Sequence, residues 1–544
     1  MTPRRVIQAA SLVIFLVLLW YAAFPLVLPV PVDLFLRMDP LILIATIITT
    51  RGFIAVLLPG VVVVVLTIVS GRFFCSMVCP LGTSIDISDR LIRGTKAAER
   101  KRTSRKEKGK LIKYLALCFI LTAALLRISL AAYGAPIPII TRFYALLVYP
   151  IFTLIADAGI TIIRPIADKA GITSLAYADL SNPVFALQWF IIALPGVIFA
   201  LAFLAPRFWC RYLCPSGAIF ALFSMRPFLI RRRVTSKCTS CGLCRKGCPM
   251  DAIAEDPHAT DFAECIVCRG CSDVCPEDAV RFVANKGDMA QRVIRFSAYR
   301  RALIGSALAG LLAALIARAG LKGIAGEGGL GRIMDPTLIR PPGSVPESFF
   351  LDKCVGCGEC MKACPTNTLQ PSGMAAGLVG FFSPVVVPRR GPCDPTCNAC
   401  GHVCPTEAIR PLPLEEKRYA KLGTASIMRQ RCIAWEYGKA CLICDEVCPY
   451  GAISLQQVSG MAVAVPYVEE SRCNGCGFCE YYCPVQAKAA IVVEPMDAIR
   501  LDKGSYRVRG KQIGLAIEPK QQGMPESGEK PQRPEDTLPP GFTQ

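Results

Sequence analysis

Cys238 to Pro249 reads CTSCGLCRKGCP, and Cys265 to Pro276 reads CIVCRGCSDVCP. Each is Cys-x2-Cys-x2-Cys-x3-Cys-Pro. Three closely spaced thiolates wrap one face of an iron–sulfur cubane, while the fourth, set off by three residues and a proline, reaches the cluster of the partner motif. The spacing therefore predicts one [4Fe-4S] cluster on Cys238, Cys241, Cys244 and Cys275, and another on Cys265, Cys268, Cys271 and Cys248. Zinc is the competing metal, but zinc ribbons split their ligands into two distant pairs.

The motif recurs four times further on. Cys354, Cys357, Cys360 and Cys364 keep the regular spacing, as do Cys473, Cys476, Cys479 and Cys483. Cys393, Cys397, Cys400 and Cys404 contain a three-residue first gap, and Cys432 stands apart from Cys441, Cys444 and Cys448. These sixteen residues bring the predicted total to six clusters and 24 cysteine ligands. The fold class expected for these segments is the α+β bacterial-ferredoxin module.

The remainder is too apolar for a soluble core. Hydrophobic residues make up 53% of the 544-residue chain, and the mean hydropathy is +0.43. Charge-free runs of about 20 residues mark candidate membrane crossings. Residues 6–32, 52–71 and 180–206 carry no charge, and 111–133 carries Lys113 and Arg127 towards its ends. A fifth crossing, or signal-anchor, is expected at 302–317 within 290–320, where paired arginines precede an Ala/Leu/Gly-rich run as in twin-arginine export signals. Residues 40–50 are too short, and 143–163 contains Asp157, so both are expected to be interfacial or re-entrant.

Orientation follows from charge. Eleven Lys/Arg between Arg90 and Lys113, and the run Arg231 to Arg233, belong in the cytoplasm. The Arg90 to Lys113 run reads as a topogenic loop, not a nucleic-acid patch. Expected domains are a four-helix membrane domain (1–230), a cytoplasmic two-cluster ferredoxin domain (231–285), the fifth helix, and a four-cluster domain (335–505) on the extracytoplasmic face. A disordered tail is expected over 519–544.

Several absences narrow the chemistry. His258 and His402 are the only histidines and neither lies in a span, so bis-histidine haem within the membrane is excluded. There is no Cys-x-x-Cys-His, no GxGxxG after a strand and no Walker A loop. No catalytic residue is assigned, and Cys118 reads as a small buried hydrophobe. Asp157, Tyr144 and Tyr149 are candidates for quinol proton handling, weighed against ordinary interfacial anchoring.

Besides Cys118, four cysteines stand outside the six motifs. RFFCSMVCPLG (Arg72 to Gly82) and RFWCRYLCPSG (Arg207 to Gly217) each follow an apolar run, so the preceding hairpins look like internal repeats. Cys75, Cys79, Cys210 and Cys214 would then meet at the cytoplasmic surface. They suit a further redox cluster, a thiol/disulfide couple, or docking of the adjacent ferredoxin domain.

With these motifs, residues 1 to about 285 resemble the NapH/MauN membrane iron–sulfur proteins, relatives of NosR and CcoG. Residues 337 to about 500, with TLIRPPG ahead of four cluster motifs, resemble the NapG/MauM ferredoxin-type proteins. The resemblance implies a NapH–NapG fusion in the cytoplasmic membrane, passing electrons from quinol to an extracytoplasmic redox enzyme. Its implied partners are lipid, quinone and that enzyme, with no nucleic acid. Related four-cluster subunits pair the first motif with the fourth and the second with the third, and the resemblance implies the same here. The CcoG likeness leaves open a cupric reductase, and a maturation or regulatory role for a partner oxidoreductase is the other alternative.

Overall fold

The computed structural model describes residues 3–93, 107–169, 172–173, 182–225, 227–228, 231–254, 256–283, 300–319 and 337–517. The expected disordered tail at 519–544 and the middle of the basic loop, 94–106, lie outside the described residues.

The amino-terminal part is helical: α1 (Pro3–Tyr21), α2 (Pro40–Thr50), α3 (Leu58–Ser70), α4 (Pro80–Arg93), α5 (Ile112–Leu125), α6 (Pro136–Phe143), α7 (Tyr149–Lys169), α8 (Gln188–Ala200) and α9 (Pro215–Phe223). A tenth helix, α10 (Arg300–Ala319), precedes the last module. Local chemistry sets the short elements. Asp39 caps α2 by accepting from the Leu41 N–H at 2.9 Å, and Pro40 occupies the first helical position, where no N–H is required. The helix stops at Arg51, which is left-handed (φ 54°). A π-helical turn, Tyr144–Val148, joins α6 to α7, making one apolar helical run from Pro136 to Pro165.

By length and composition, Arg4–Tyr21 and Pro136–Pro165 are long and apolar enough to cross a membrane, while shorter apolar helices cover 40–50, 55–70, 188–203 and 301–315. The first expected run, 6–32, leaves helical geometry after Tyr21, where Pro25, Pro29 and Pro31 remove backbone donors. The run at 111–133 breaks after Leu125, with Arg127 left-handed at φ 60°. Asp157 does not interrupt 143–163 as expected. Its carboxylate lies at the surface and accepts from Asn182 Nδ2 at 3.3 Å, so it imposes no break.

Two ferredoxin-type modules flank the helices. The first carries the antiparallel pair β1 (Arg231–Val234) and β2 (Val280–Val283), with Arg231 opposite Val283. The second, from residue 337, carries β3 (Leu369–Pro371) with β4 (Pro384–Val386), β5 (Thr424–Ile427) with β8 (Ile491–Glu494), and β6 (Ile453–Gln456) with β7 (Val465–Val468), all antiparallel.

The modules sit at opposite ends of the same helices. At the start of α5, Lys113 Nζ bonds both carboxylate oxygens of Glu264 in the first module. Beyond its end, the Tyr133 hydroxyl donates to the Leu378 carbonyl of the second. In α1, Arg4 faces Cys268 of the first module at one end, and the Trp20 carbonyl accepts from Lys362 Nζ of the second at the other. Phe190, early in α8, meets Phe381 edge-on at 5.1 Å, whereas Gly71, just after α3, lies against Val267. Helix α10 runs parallel to α5: Ser306 Oγ donates to the Leu115 carbonyl, Gly310 lies against Phe119 and Thr122, and Ala314 packs with Ala123. The spacing Ser306, Gly310, Ala314 is a small-residue stripe that permits close backbone approach.

The helices are apolar on their outer faces as well as in their core. Val13, Val17, Val62, Leu154, Ile162, Val197, Phe203, Leu308 and Leu312 face outward, while Asp39, Arg72, Lys113 and Arg207 are buried.

Candidate functional site

In the first module the fourth cysteine crosses over as its spacing predicts. One cavity is lined by Cys238, Cys241, Cys244 and Cys275, and a second by Cys248, Cys265, Cys268 and Cys271. Both crossing cysteines accept a backbone N–H four residues on: Ala252 to Cys248 Sγ at 3.4 Å, and Ala279 to Cys275 Sγ at 3.3 Å.

The second module repeats this arrangement twice. Cys432, Cys441, Cys444 and Cys483 line one cavity, and Cys448, Cys473, Cys476 and Cys479 another. Cys404 faces Cys354, Cys357 and Cys360, while Cys364 faces Cys393, Cys397 and Cys400. The motifs therefore pair first with second and third with fourth, correcting the first-with-fourth arrangement that the resemblance implied. Between the paired motifs the chain doubles back through an antiparallel strand pair, β3–β4 after Cys364 and β6–β7 after Cys448, so consecutive motifs form each two-fold unit. The sites of the second and fourth motifs adjoin, because Cys393 N–H donates to the Cys476 carbonyl at 2.7 Å and the buried Tyr450 faces both cysteines.

These sites fit clusters by donor chemistry. Burial pushes the Cys265 thiol up to about 12, and the facing Cys248 adds to it. Burial likewise pushes Cys354 up to about 12, with Cys404 adding, and Cys444 up to about 12, with Cys441 and Cys432 adding. Sulfurs buried together in this way become thiolate only with cationic metal between them. Among the described residues, no three His, Cys, Asp or Glu side chains form a group suited to a single metal ion. Four iron atoms and their sulfides hold the ligands further apart than one ion does.

Lysine and arginine lie close to several sites. Lys417 donates to the Asp394 carbonyl and faces Cys393, and Arg142 of α6 reaches out of the helical part to the Gly356 carbonyl, 2.9 Å away, facing Cys357. Neither residue stands in a distinguishing sequence pattern.

The four cysteines of the two repeats also converge. Cys75, Cys79, Cys210 and Cys214 face one another, with Cys79 and Cys214 buried and all four unbridged. The repeats match residue by residue. Each carries a π-helical turn (Phe74–Val78, Trp209–Leu213) ending on an extended cysteine (Cys79 φ −63°, ψ 115°; Cys214 φ −67°, ψ 111°). In each, that cysteine's N–H closes the turn at 2.9 Å, on Phe74 and Trp209 respectively, and proline opens the next helix.

Of the other candidates, the Tyr144 hydroxyl lies 3.1 Å from Ser84 Oγ, and Tyr149 packs edge-on against Trp20 under Lys362. They do not converge with Asp157. His402 shares a contact with Asn398, the His258 backbone N–H donates to Asp256, and Cys118 Sγ approaches the Leu303 carbonyl at 3.7 Å.

Repeated two-strand modules with four-cysteine cavities define a ferredoxin-type iron–sulfur electron-transfer protein. Family models described as a 4Fe-4S binding domain match residues 52–97 with 187–237, and 233–254 with 348–370; one described as a 4Fe-4S dicluster domain matches 439–487. The chain is 39% identical over 171 residues to the methylamine utilization ferredoxin-type protein MauM of Paracoccus denitrificans, covering 30% of this chain and 74% of the relative. It is 33% identical over 178 residues to the ferredoxin-type protein NapG of Escherichia coli, covering 31% and 75%, and 32% identical over 154 residues to NapF of the same organism, covering 28% and 84%. The chain belongs to the family of ferredoxin-type iron–sulfur proteins that includes MauM and NapG.

Proposed function

We propose that the protein is a membrane-bound fusion of a NapH/MauN-type unit with a NapG/MauM-type unit, carrying electrons from quinol to a redox enzyme on the extracytoplasmic face. The observation that carries this is the placement of the two modules at opposite ends of α1 and α5, with α10 parallel to α5. Their lipid-like exterior and buried charges support a membrane setting. With the first module in the cytoplasm, α1, α3, α5, α8 and α10 cross, and α2, too short to cross, is re-entrant.

The 24 motif cysteines hold six clusters, which supply one-electron oxidation and reduction. The chain's own residues shorten the distance between modules. Helix α5 has 14 residues, about 21 Å, whereas the hydrocarbon layer is about 30 Å thick, so both modules are seated into the ends of the bundle. Lys362 anchors the second module by donating to the Trp20 and Ala22 carbonyls at 3.0 and 3.1 Å.

The test uses sealed inside-out vesicles containing the full chain. Protease should cut within 231–283 and spare 337–517, and a quinol analogue should bleach cluster absorbance. Cleavage of both modules would sink the transmembrane reading. Reduction of Cu(II) by the chemically reduced protein, with no response to quinol, would favour the reductase. Normal electron flux with failed partner assembly, in cluster-cysteine variants, would favour the maturation role.

A further inference from the structure

Arg72 and Arg207 are each completely buried, and each reaches across from one repeat to the other. A Cβ on Gly82 would meet the Cys75 carbonyl oxygen at 2.9 Å, Cys79 Cβ at 3.7 Å and Arg207 Nη2 at 3.8 Å. A Cβ on Gly217 would meet Arg72 Nη2 at 3.2 Å, Cys214 Cβ at 3.4 Å and the Cys210 carbonyl oxygen at 3.5 Å. The same three neighbours recur, exchanged between repeats, so the four cysteines and two arginines form one two-fold constellation.

Hydrogen bonding points to what belongs inside it. Arg207 is used by protein: Nε and Nη2 donate to Asp86 and Nη1 to the Cys75 carbonyl. Arg72 Nη1 donates to the Ala263 carbonyl and to Glu264, but its Nε and Nη2 have no acceptor, although the side chain faces Cys75 and Cys214. A buried guanidinium N–H without an acceptor costs about 1 to 3 kcal/mol or more, so an anionic acceptor among the thiols fits the geometry. A disulfide would engage two of the four cysteines and provide no anion.

The surroundings define its use. Cys75 and Cys210 pack against the core of the first module, among Cys248, Ile266 and Cys271, and Arg207 also faces Cys268. On the other side, Asp39 bonds Ser216 Oγ at 2.9 Å, fixing the start of α2 beside α9. The far end of α2 reaches the second module, where Thr49 Oγ1 donates to the Asp352 carbonyl at 3.0 Å, two residues before Cys354. Eleven residues of helix, about 16 Å, separate the two contacts.

We propose that Cys75, Cys79, Cys210 and Cys214 bind one iron–sulfur cluster, a seventh redox centre that relays single electrons between the two modules, with Arg72 and Arg207 balancing its negative charge. A reduced iron–sulfur centre of one module is the donor and an oxidised one of the other is the acceptor. One ferric iron becomes ferrous as the electron enters and returns to ferric as it leaves; no bond or proton changes hands. This deepens the electron-carrier reading and rests on it.

The test is iron, acid-labile sulfide and zinc per chain in anaerobically purified full-length protein, with alkylation mapping of the cysteines. Six conventional clusters account for about 24 irons. Two or four further irons with matching sulfide, and alkylation of Cys75, Cys79, Cys210 and Cys214 only after cluster removal, support the seventh centre. C75S/C210S should lose only that surplus. Should the double variant not assemble, R72Q reports separately: one redox component should shift to lower potential while the others stay in place. About 24 irons with the four thiols freely alkylated, a disulfide among them, or zinc without surplus sulfide would each overturn the proposal. Iron far below 24 in all preparations would instead sink the underlying six-cluster reading.

Discussion

Lys113 Nζ lies 2.6 Å from both carboxylate oxygens of Glu264, and the same carboxylate accepts from Arg72 at 3.2 Å; all three side chains are buried. One carboxylate thus ties the first ferredoxin-type module to α5 and to the first cysteine repeat. Removing it leaves two buried cations without their anion, a change that costs about 3 to 5 kcal/mol in comparable buried pairs. E264Q should lower the melting temperature of the full chain and expose 231–283 to limited proteolysis. Unchanged melting would show that the contact does not hold the module.

The same pair predicts a pH dependence. Burial raises the Glu264 pKa, but Lys113 and then Arg72 outweigh it and hold the carboxyl below its ordinary 4.5. A depressed carboxylate contributes stability that is fully present above the unfolded-state value and is lost as pH falls through the folded-state value. Docking of the first module should therefore be flat from neutral pH down to about 5 and weaken below about 4.5. E264Q should show a shallower acid limb in melting scans.

At the other end, Arg142 bridges the Gly356 and Ala132 carbonyls and lies over the Phe382 ring, 4.0 Å from its centroid. R142A leaves two buried carbonyls without donors, at on the order of 1 to 3 kcal/mol each. Protection of 350–382 in hydrogen exchange should fall, while protection of 238–275 should not. Equal loss in both modules would point to general unfolding.

What could be read from the sequence follows the range of the interaction. Three of each cubane's four ligands lie close together in the chain, so all six motifs are visible as strings of cysteine, as is the crossing of Cys248 and Cys275. Which motif partners which in the second module depends on how the chain returns after Cys364 and Cys448, and there analogy failed. The repeats at Arg72 and Arg207 were visible as matching residues. The roles of those arginines were not, because each guanidinium acts on the opposite repeat, more than a hundred residues away. Asp39 shows the same limit: the short apolar run it caps was recognisable, but its bond to Ser216 is purely tertiary.

The corrected pairing makes a direct prediction. C404S should remove the cluster bound by Cys354, Cys357 and Cys360, and C364S the one bound by Cys393, Cys397 and Cys400, judged by iron content and alkylation of the released thiols. Release of Cys473, Cys476 and Cys479 by C364S would restore the first-with-fourth arrangement.

Glycine supplies the last prediction, with its own control. At Gly82 the added methyl would press on a backbone carbonyl, and at Gly217 on a guanidinium held at its other end by Glu264. Neither neighbour can retreat without moving a cysteine turn, and overpacking of this kind costs about 1 to 3 kcal/mol. Gly159 and Gly196 also lie in helices, but a Cβ there meets nothing within 4 Å. Replacing them by alanine should be neutral or stabilising by up to about 1 kcal/mol, through helix propensity alone. G82A and G217A should therefore lower the melting temperature by several degrees and G159A and G196A should not. Equal effects in all four variants would mean that the close approach of the two repeats is not what requires glycine at 82 and 217.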